Sequence, residues 1–210
     1  MKLNTIVNNP KERRKSTPYH IYWYNTFTED ELVSIENLFD SYERERASIT
    51  GAETGSDVAE QIRKSEVAFV VRDDNTSWIF DRFNLAINSM NNEFYGFDLN
   101  GYEKIQYTVY DSSYQGKFNW HMDTIMGGMP ADSFDETRKL TLIMLLNEPG
   151  KDFTGGEFEI TDSDQQNPIV PEMHRGTIIA LPSYMIHRVK PVQLGVRKSV
   201  VIWVEGPKFR

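Results

Sequence analysis

Lys104-Ile105-Gln106-Tyr107-Thr108-Val109-Tyr110 is the stretch that decides the fold. It is rich in β-branched and aromatic residues, and its period of two places Gln106, Thr108 and Tyr110 on one face of a strand. A polar face of this kind is unusual unless it lines a site. Four more short apolar runs follow at residues 140–146, 157–161, 177–181 and 196–204, separated by Gly, Pro, Asp and Asn. In the last of them Arg197, Ser199 and Trp203 share a face. The second half of the chain therefore reads as at least five strands.

Before residue 101 the period is helical. Phe27-Thr28-Glu29-Asp30-Glu31 is a helix start, with Thr28 as N-cap, Glu31 at the capping-box position and Phe27 placed to staple onto Leu32. Leu32, Ile35, Phe39 and Tyr42 form one apolar stripe, and the helix is expected to end in the charge run at 43–46. A second helix is expected near 78–91, with Ile79, Phe83, Ala86, Ile87 and Met90 on one side. Residues 20–24 are of strand type, 1–18 read as a polar arm, and 50–65, rich in Gly, Ser, Thr and Glu, read as a long surface loop of the kind that serves as a lid. Helices first and strands afterwards predict an α+β, mainly β fold, a sandwich or barrel with helices packed outside. One domain is expected over 1–210: the arm (1–18), a helical support region (19–100) and a β core (101–207).

Composition narrows the chemistry. The chain has 210 residues, 23 Lys and Arg against 31 Asp and Glu, a formal net charge of −8, four His and no Cys. Without Cys there is no disulfide, zinc ribbon, iron–sulfur cluster or thiolate nucleophile, so a bound metal must take nitrogen and oxygen ligands. The acidic balance argues against a nucleic-acid partner. The short basic cluster at 11–15 reads as part of a solvated arm. No run of 18 apolar residues is present, and the first residues lack the apolar core of a signal peptide. The expectation is a cytoplasmic protein with no membrane partner.

His121-Met122-Asp123 places an imidazole and a carboxylate two residues apart, on one face if the segment is extended. Alone the pair means little, since four His give one by chance about half the time in so acidic a chain. Downstream, however, stand His187 and, ten residues later, Arg197. If the intervening Lys190-Pro191-Val192-Gln193-Leu194-Gly195 is a turn, His187 ends one strand and Arg197 begins its neighbour, both facing one cavity. Two His and one carboxylate form the facial triad of non-haem Fe(II) oxygenases, which leaves positions open for a keto acid and dioxygen. A planar, permanently charged Arg suits the far carboxylate of a dicarboxylic co-substrate. His174 and His20 have no carboxylate two residues on and read as non-ligands. Trp120, Met122, Met126 and Met129 flank the motif, as a substrate groove or as ordinary packing. Lys198 alternates to the face opposite Arg197 and reads as surface or edge.

In this register the sequence resembles the 2-oxoglutarate/Fe(II)-dependent dioxygenases, and among them the prolyl 4-hydroxylase-like branch. The likeness runs from about Phe27 to Pro207. Its helical part, including Ile62-Arg63-Lys64-Ser65, is weakly specific. Its β part is specific: residues 103–110, then His121-Met122-Asp123, Arg138-Lys139-Leu140-Thr141, Gly155-Gly156-Glu157, Pro171, Gly176, His187, Pro191-Val192, Gly195-Val196-Arg197 and Trp203 follow the family's order. Two features depart from the pattern. The interval from Tyr110 to His121 is about two residues longer than usual, which keeps Tyr107 as a rival for the tyrosine role, and Arg197 stands where many prolyl hydroxylases carry Lys.

The resemblance implies a double-stranded β-helix (jelly-roll, cupin-like) core with N-terminal helices on one sheet. It implies that His121, Asp123 and His187 bind Fe(II) and that Arg197 binds the distal carboxylate of 2-oxoglutarate, helped by Tyr110 and Thr141. Ser199 would assist Arg197 or simply pack, and Trp203 would contribute to cofactor binding or, more economically, serve as core. The implied activity is a procollagen-proline 4-dioxygenase-like hydroxylation that consumes O2, releases succinate and CO2, and takes ascorbate as a further cofactor. An intact Asp123 favours hydroxylation over halogenation, because related halogenases lack that carboxylate. The implied partner is a peptide or protein containing proline, neutral or basic in view of the −8 charge. A small-molecule oxygenase, a nucleic-acid demethylase and a non-catalytic cupin-like binder are the alternatives; the charge and single carboxylate-binding Arg speak against the demethylase.

Overall fold

Each β run expected after residue 101 contributes a strand in the computed structural model, which describes residues 17–49, 56–124, 136–162 and 164–208. In chain order the elements are β1 (Ile21–Trp23), α1 (Glu29–Asp40), β2 (Glu45–Arg46), α2 (Asp57–Ile62), β3 (Arg63–Lys64), β4 (Glu66–Val71), α3 (Ser77–Met90), β5 (Lys104–Asp111), β6 (Lys117–His121), β7 (Glu136–Leu145), β8 (Phe153–Gly155), β9 (Phe158–Thr161), β10 (Ile178–Pro182), β11 (Ile186–Val189) and β12 (Val192–Pro207). A turn of π-helix, Asn91–Tyr95, extends α3. The strands form a major sheet in the order β1-β10-β7-β12-β5-β4-β2, with β8 paired to β12, and a minor sheet in the order β3-β6-β11-β9. This is the double-stranded β-helix.

Alternation along the strands assigns each face. On β7 and just beyond it, Leu140, Leu142, Met144 and Leu146 join Ile178, Ala180, Val200, Ile202 and Val204 beneath the helices, against Leu32, Ile35 and Phe39 of α1 and Ile79, Phe83 and Met90 of α3. The intervening Ile143 and Leu145 join Phe153, Phe158, Ile160, Ile179, Leu181, Val189 and Val192 between the sheets. The helices thus brace the outer face of the major sheet, as expected, and its inner face carries the site. Helix α1 begins with the anticipated capping box: Thr28 N–H donates to Glu31 Oε2 (2.8 Å) and Glu31 N–H to Thr28 Oγ1 (3.2 Å).

Four expectations change. Helix α1 stops at Asp40 rather than in the charge run, because Ser41 caps it with backbone N–H and Oγ both directed to the Leu38 carbonyl. The support region is not purely helical: β1, β2 and β4 extend both flanks of the major sheet and β3 extends the minor one. Of the supposed loop at 50–65, residues 56–64 form α2, capped by Ser56 on Ala59 N–H, and β3, while 50–55 lie outside the described residues. Residues 1–16 of the arm, with the basic cluster, also lie outside them. Finally, β11 and β12 are not a hairpin. Pro191 has no N–H to continue a ladder; its carbonyl accepts from Gly156 N–H, Val192 N–H turns to Gly116 O, and the chain passes from the minor sheet to the major one. No helix among the described residues is long and apolar enough to cross a membrane.

Candidate active site

His121 and His187 come together by strand register. They are directly opposed across the antiparallel β6–β11 pair, with ring centroids 4.3 Å apart. Asp123 lies beyond the end of β6, and its place is set by the turn between β10 and β11: Asp123 N–H and Thr124 N–H both donate to the Ser183 carbonyl, at 2.9 and 3.0 Å. The carboxylate then stands between the two rings, Oδ1 3.7 Å from His121 Nε2 and Oδ2 3.4 Å from His187 Nε2. One donor atom from each residue lies within 4.8 Å of the others.

Second partners fix both imidazoles. His121 Nδ1–H donates to Asn119 O (2.7 Å) and His187 Nδ1–H to Met185 O (2.9 Å), which leaves each Nε2 lone pair directed at the common point. Phe118 stacks on His121 at 3.5 Å between centroids, and Phe158 packs by His187 at 5.3 Å. Burial, reinforced by the neighbouring His187, pushes the His121 pKa down to about 3, so the ring is in the neutral form that ligates metals. Burial alone would raise Asp123; the two histidines and a Thr141 hydrogen bond outweigh it and hold the carboxyl below its ordinary range. The donor set is therefore two imidazoles, that of His121 neutral, and an anionic carboxylate.

On the facing sheet Arg197 is opposed to Tyr110 across β5 and β12. Its side chain is 1% exposed. Nη1 donates to Ser199 Oγ at 3.0 Å, the Tyr110 ring lies 5.4 Å from the guanidinium carbon, and Nε and Nη2 have no hydrogen-bond partner among the described residues. Burial draws its pKa down to about 10. A cation buried without a counter-charge is destabilising by several kcal/mol, and two idle in-plane donors suit a planar anion such as a carboxylate.

The structure separates the two tyrosines. Tyr110 lines the cavity with Gln106, Arg197 and Ser199. Tyr107 points to the opposite face, where its hydroxyl donates to Asp40 Oδ1 (2.5 Å) beneath α1. Thr141 also lines the cavity, but its hydroxyl proton is directed to Asp123 Oδ2 (2.8 Å). Trp203 is at the cavity wall, with its indole N–H near the Asp123 carboxylate yet short of hydrogen-bond geometry, and the Arg138 guanidinium lies over its ring at 4.1 Å. Met122 is exposed, Trp120 lies under Arg188 (4.4 Å), and Met126 and Met129 fall outside the described residues. His174 is exposed between Glu148 and Glu172, and His20 packs edge-on to Tyr22; neither approaches the triad.

Sequence reasoning passed over Arg63, Ser183 and Phe118. Arg63 reaches the cavity from β3, with its guanidinium 4.6 Å from the Phe118 ring centroid and Nε bonded to Ser65 Oγ at 2.8 Å. The available signal was Ile62-Arg63-Lys64-Ser65, placed in a loop.

The 2OG-Fe(II) oxygenase superfamily model matches residues 105–205, the segment that carries the triad and the buried arginine. That segment, just under half of the chain, is similar to this superfamily. A PKHD-type hydroxylase of Picosynechococcus sp. is 36% identical over 87 residues, which are 41% of this chain and 35% of the relative. The chain thus spans about a third of the length of this curated relative. A prolyl-4-hydroxylase structure from Pseudomonas putida superposes with a TM-score of 0.67 at 16% identity, covering 89% of this chain and 92% of that one. A prolyl hydroxylase from Trichoplax adhaerens, in complex with a hypoxia inducible factor peptide fragment, gives 0.68 at 16% identity over 89% and 83%. At such identities the likeness is one of fold. The oxygenase cofactors are tested by the side chains themselves: two imidazoles with a carboxylate fit a divalent iron, and the partnerless Nε and Nη2 of Arg197 fit a dicarboxylic 2-oxo acid.

Proposed function

We propose that the chain is an Fe(II)- and 2-oxoglutarate-dependent dioxygenase that hydroxylates a C–H bond of a prolyl residue in a peptide or protein, with release of succinate and CO2. The observation that carries the reading is the pairing, in one cavity, of three metal-competent donors with a buried arginine whose Nε and Nη2 have no partner. His121, Asp123 and His187 would hold the iron. Arg197, with Ser199 beside it and the Tyr110 ring at its face, would hold the far carboxylate of 2-oxoglutarate. When bound, the iron would let dioxygen act as the oxidant, one oxygen atom going to succinate as the 2-oxo acid loses CO2 and the other to the unactivated C–H bond. The protein's own work is placement and exclusion of water: Phe118, Ile143, Phe158, Val189 and Val201 wall the cavity with apolar surface. Asp123 in the third ligand position favours hydroxylation. Proline in a peptide is supported by the shared fold with prolyl hydroxylases, one of them peptide-bound.

The test is 2-oxoglutarate decarboxylation by purified protein with Fe(II), ascorbate and proline-containing peptides, alongside free proline. Peptide-stimulated succinate release with a 16 Da gain on proline is expected, lost in His121→Ala and Arg197→Ala. Stimulation by free proline alone would move the substrate to a small molecule. Absence of any turnover, with iron affinity unchanged in His121→Ala, would remove the enzyme reading.

A further inference from the structure

Asp123 is held by a directed chain of two buried hydroxyls. Thr141 Oγ1 lies 2.8 Å from Asp123 Oδ2 and 2.9 Å from Ser183 Oγ. A hydroxyl has one proton, and an ionised carboxylate only accepts, so Thr141 donates to Asp123 and Ser183 must donate to Thr141. Thr141 is 1% and Ser183 0% exposed. The same Ser183 receives both Asp123 N–H and Thr124 N–H on its carbonyl and anchors its own N–H on Lys139 O. One serine in the turn before β11 therefore grips the Asp123 segment by backbone and side chain.

We infer that Thr141 and Ser183 are positioning residues for the metal-ligating carboxylate, and that Thr141 is not a co-substrate contact. The inference rests on the iron reading above and refines it. Thr141 occupies one lone-pair direction of Oδ2 and fixes the plane of the carboxylate, which favours binding a metal through one oxygen and leaves neighbouring coordination positions open. A carboxylate free to rotate would chelate with both oxygens and fill one of them. Ser183 sits four residues before His187, so the grip also fixes the distance between the carboxylate and the second imidazole.

Metal affinity, read without turnover, tests this. Co(II) is titrated into the wild type, Thr141→Val, Thr141→Ser and Ser183→Ala, following the visible d–d absorption, with circular dichroism recording the fold. Thr141→Val keeps shape and removes the hydroxyl; it should weaken Co(II) binding by about 10–100-fold, the usual cost of losing an outer partner of a ligand, and alter the d–d spectrum. Thr141→Ser should restore most of the affinity, and Ser183→Ala should give a smaller loss. A folded Thr141→Val that binds Co(II) as the wild type does, with only a raised KM for 2-oxoglutarate, would overturn the inference in favour of a co-substrate contact. If Thr141→Val does not fold, equal Co(II) affinity in Ser183→Ala and wild type overturns it. A wild type that fails to bind Co(II) overturns the iron reading, and the positioning role falls with it.

Discussion

Arg197 faces Tyr110 across the β5–β12 ladder, its guanidinium carbon 5.4 Å from the phenol ring, and no carboxylate among the described residues pairs with it. An apolar side chain of similar reach is expected to have two opposite effects. Arg197→Met should raise the melting temperature of the ligand-free protein, because an unpaired buried charge is removed. It should also cost about 2 kcal/mol or more in 2-oxoglutarate binding, roughly 30-fold. Thermal melts with and without 2-oxoglutarate check both: the co-acid should stabilise the wild type at concentrations about 30-fold lower than those that stabilise the variant.

Gly156 makes room for that arginine. It has φ +66°, and a Cβ there would stand 2.9 Å from Arg197 Cδ and 3.0 Å from Val192 Cγ2. Gly156→Ala should destabilise the fold by about 1–2 kcal/mol from the left-handed backbone alone, seen in urea denaturation. Displacement of the guanidinium should raise the KM for 2-oxoglutarate while Co(II) affinity stays as in the wild type.

The metal-free protein should lose stability in acid through the triad. Folded His121 stays neutral down to about pH 3, whereas the unfolded ring takes a proton near 6.5. Between those values the unfolded state binds more protons, so stability falls as pH drops through the window. Asp123, with its pKa held below the ordinary value, acts in the same direction at the acid end. Urea midpoints measured from about pH 7 to 4 should decline, and His121→Gln should flatten the slope.

Lys198 ties the sheet to its supporting helix. Its Nζ lies 3.0 Å from Glu36 Oε1 and 2.5 Å from Asp40 Oδ2, both on α1. Lys198→Met should cost about 1 kcal/mol without changing 2-oxoglutarate affinity, and a double-mutant cycle with Asp40→Asn should show coupling of similar size.

Local rules made much of this readable. The capping box at Thr28 and Glu31 and the parity that sets Tyr110 against Tyr107 depend on residues within a turn or a strand of one another. Glu66–Val71 was readable and missed: buried Val67, Ala68 and Val70 with exposed Phe69 and Val71 are a strand pattern beside two-residue β3. Other features depend on where distant elements land. Parity sends Lys198 away from Arg197, yet the face it reaches is roofed by α1 rather than open to water. Pro191 reads as a turn, and only the bonds to Gly116 and Gly156 reveal a change of sheet. Net charge likewise averages over the chain, whereas the cavity itself gathers Arg63 and Arg197, with Arg138 over its Trp203 wall.

The crossing at Pro191 divides responsibility for any ligand. The minor sheet presents His121 and His187, and the major sheet presents Arg197, Tyr110 and Thr141. A guest gripped by both becomes a tie-beam across the sandwich, and the stiffness of that end of the molecule becomes a property of occupancy. Amide protons of β6 and β11, two short neighbours in a four-stranded sheet, should then register loading of the site as slowed exchange, well before any product is formed.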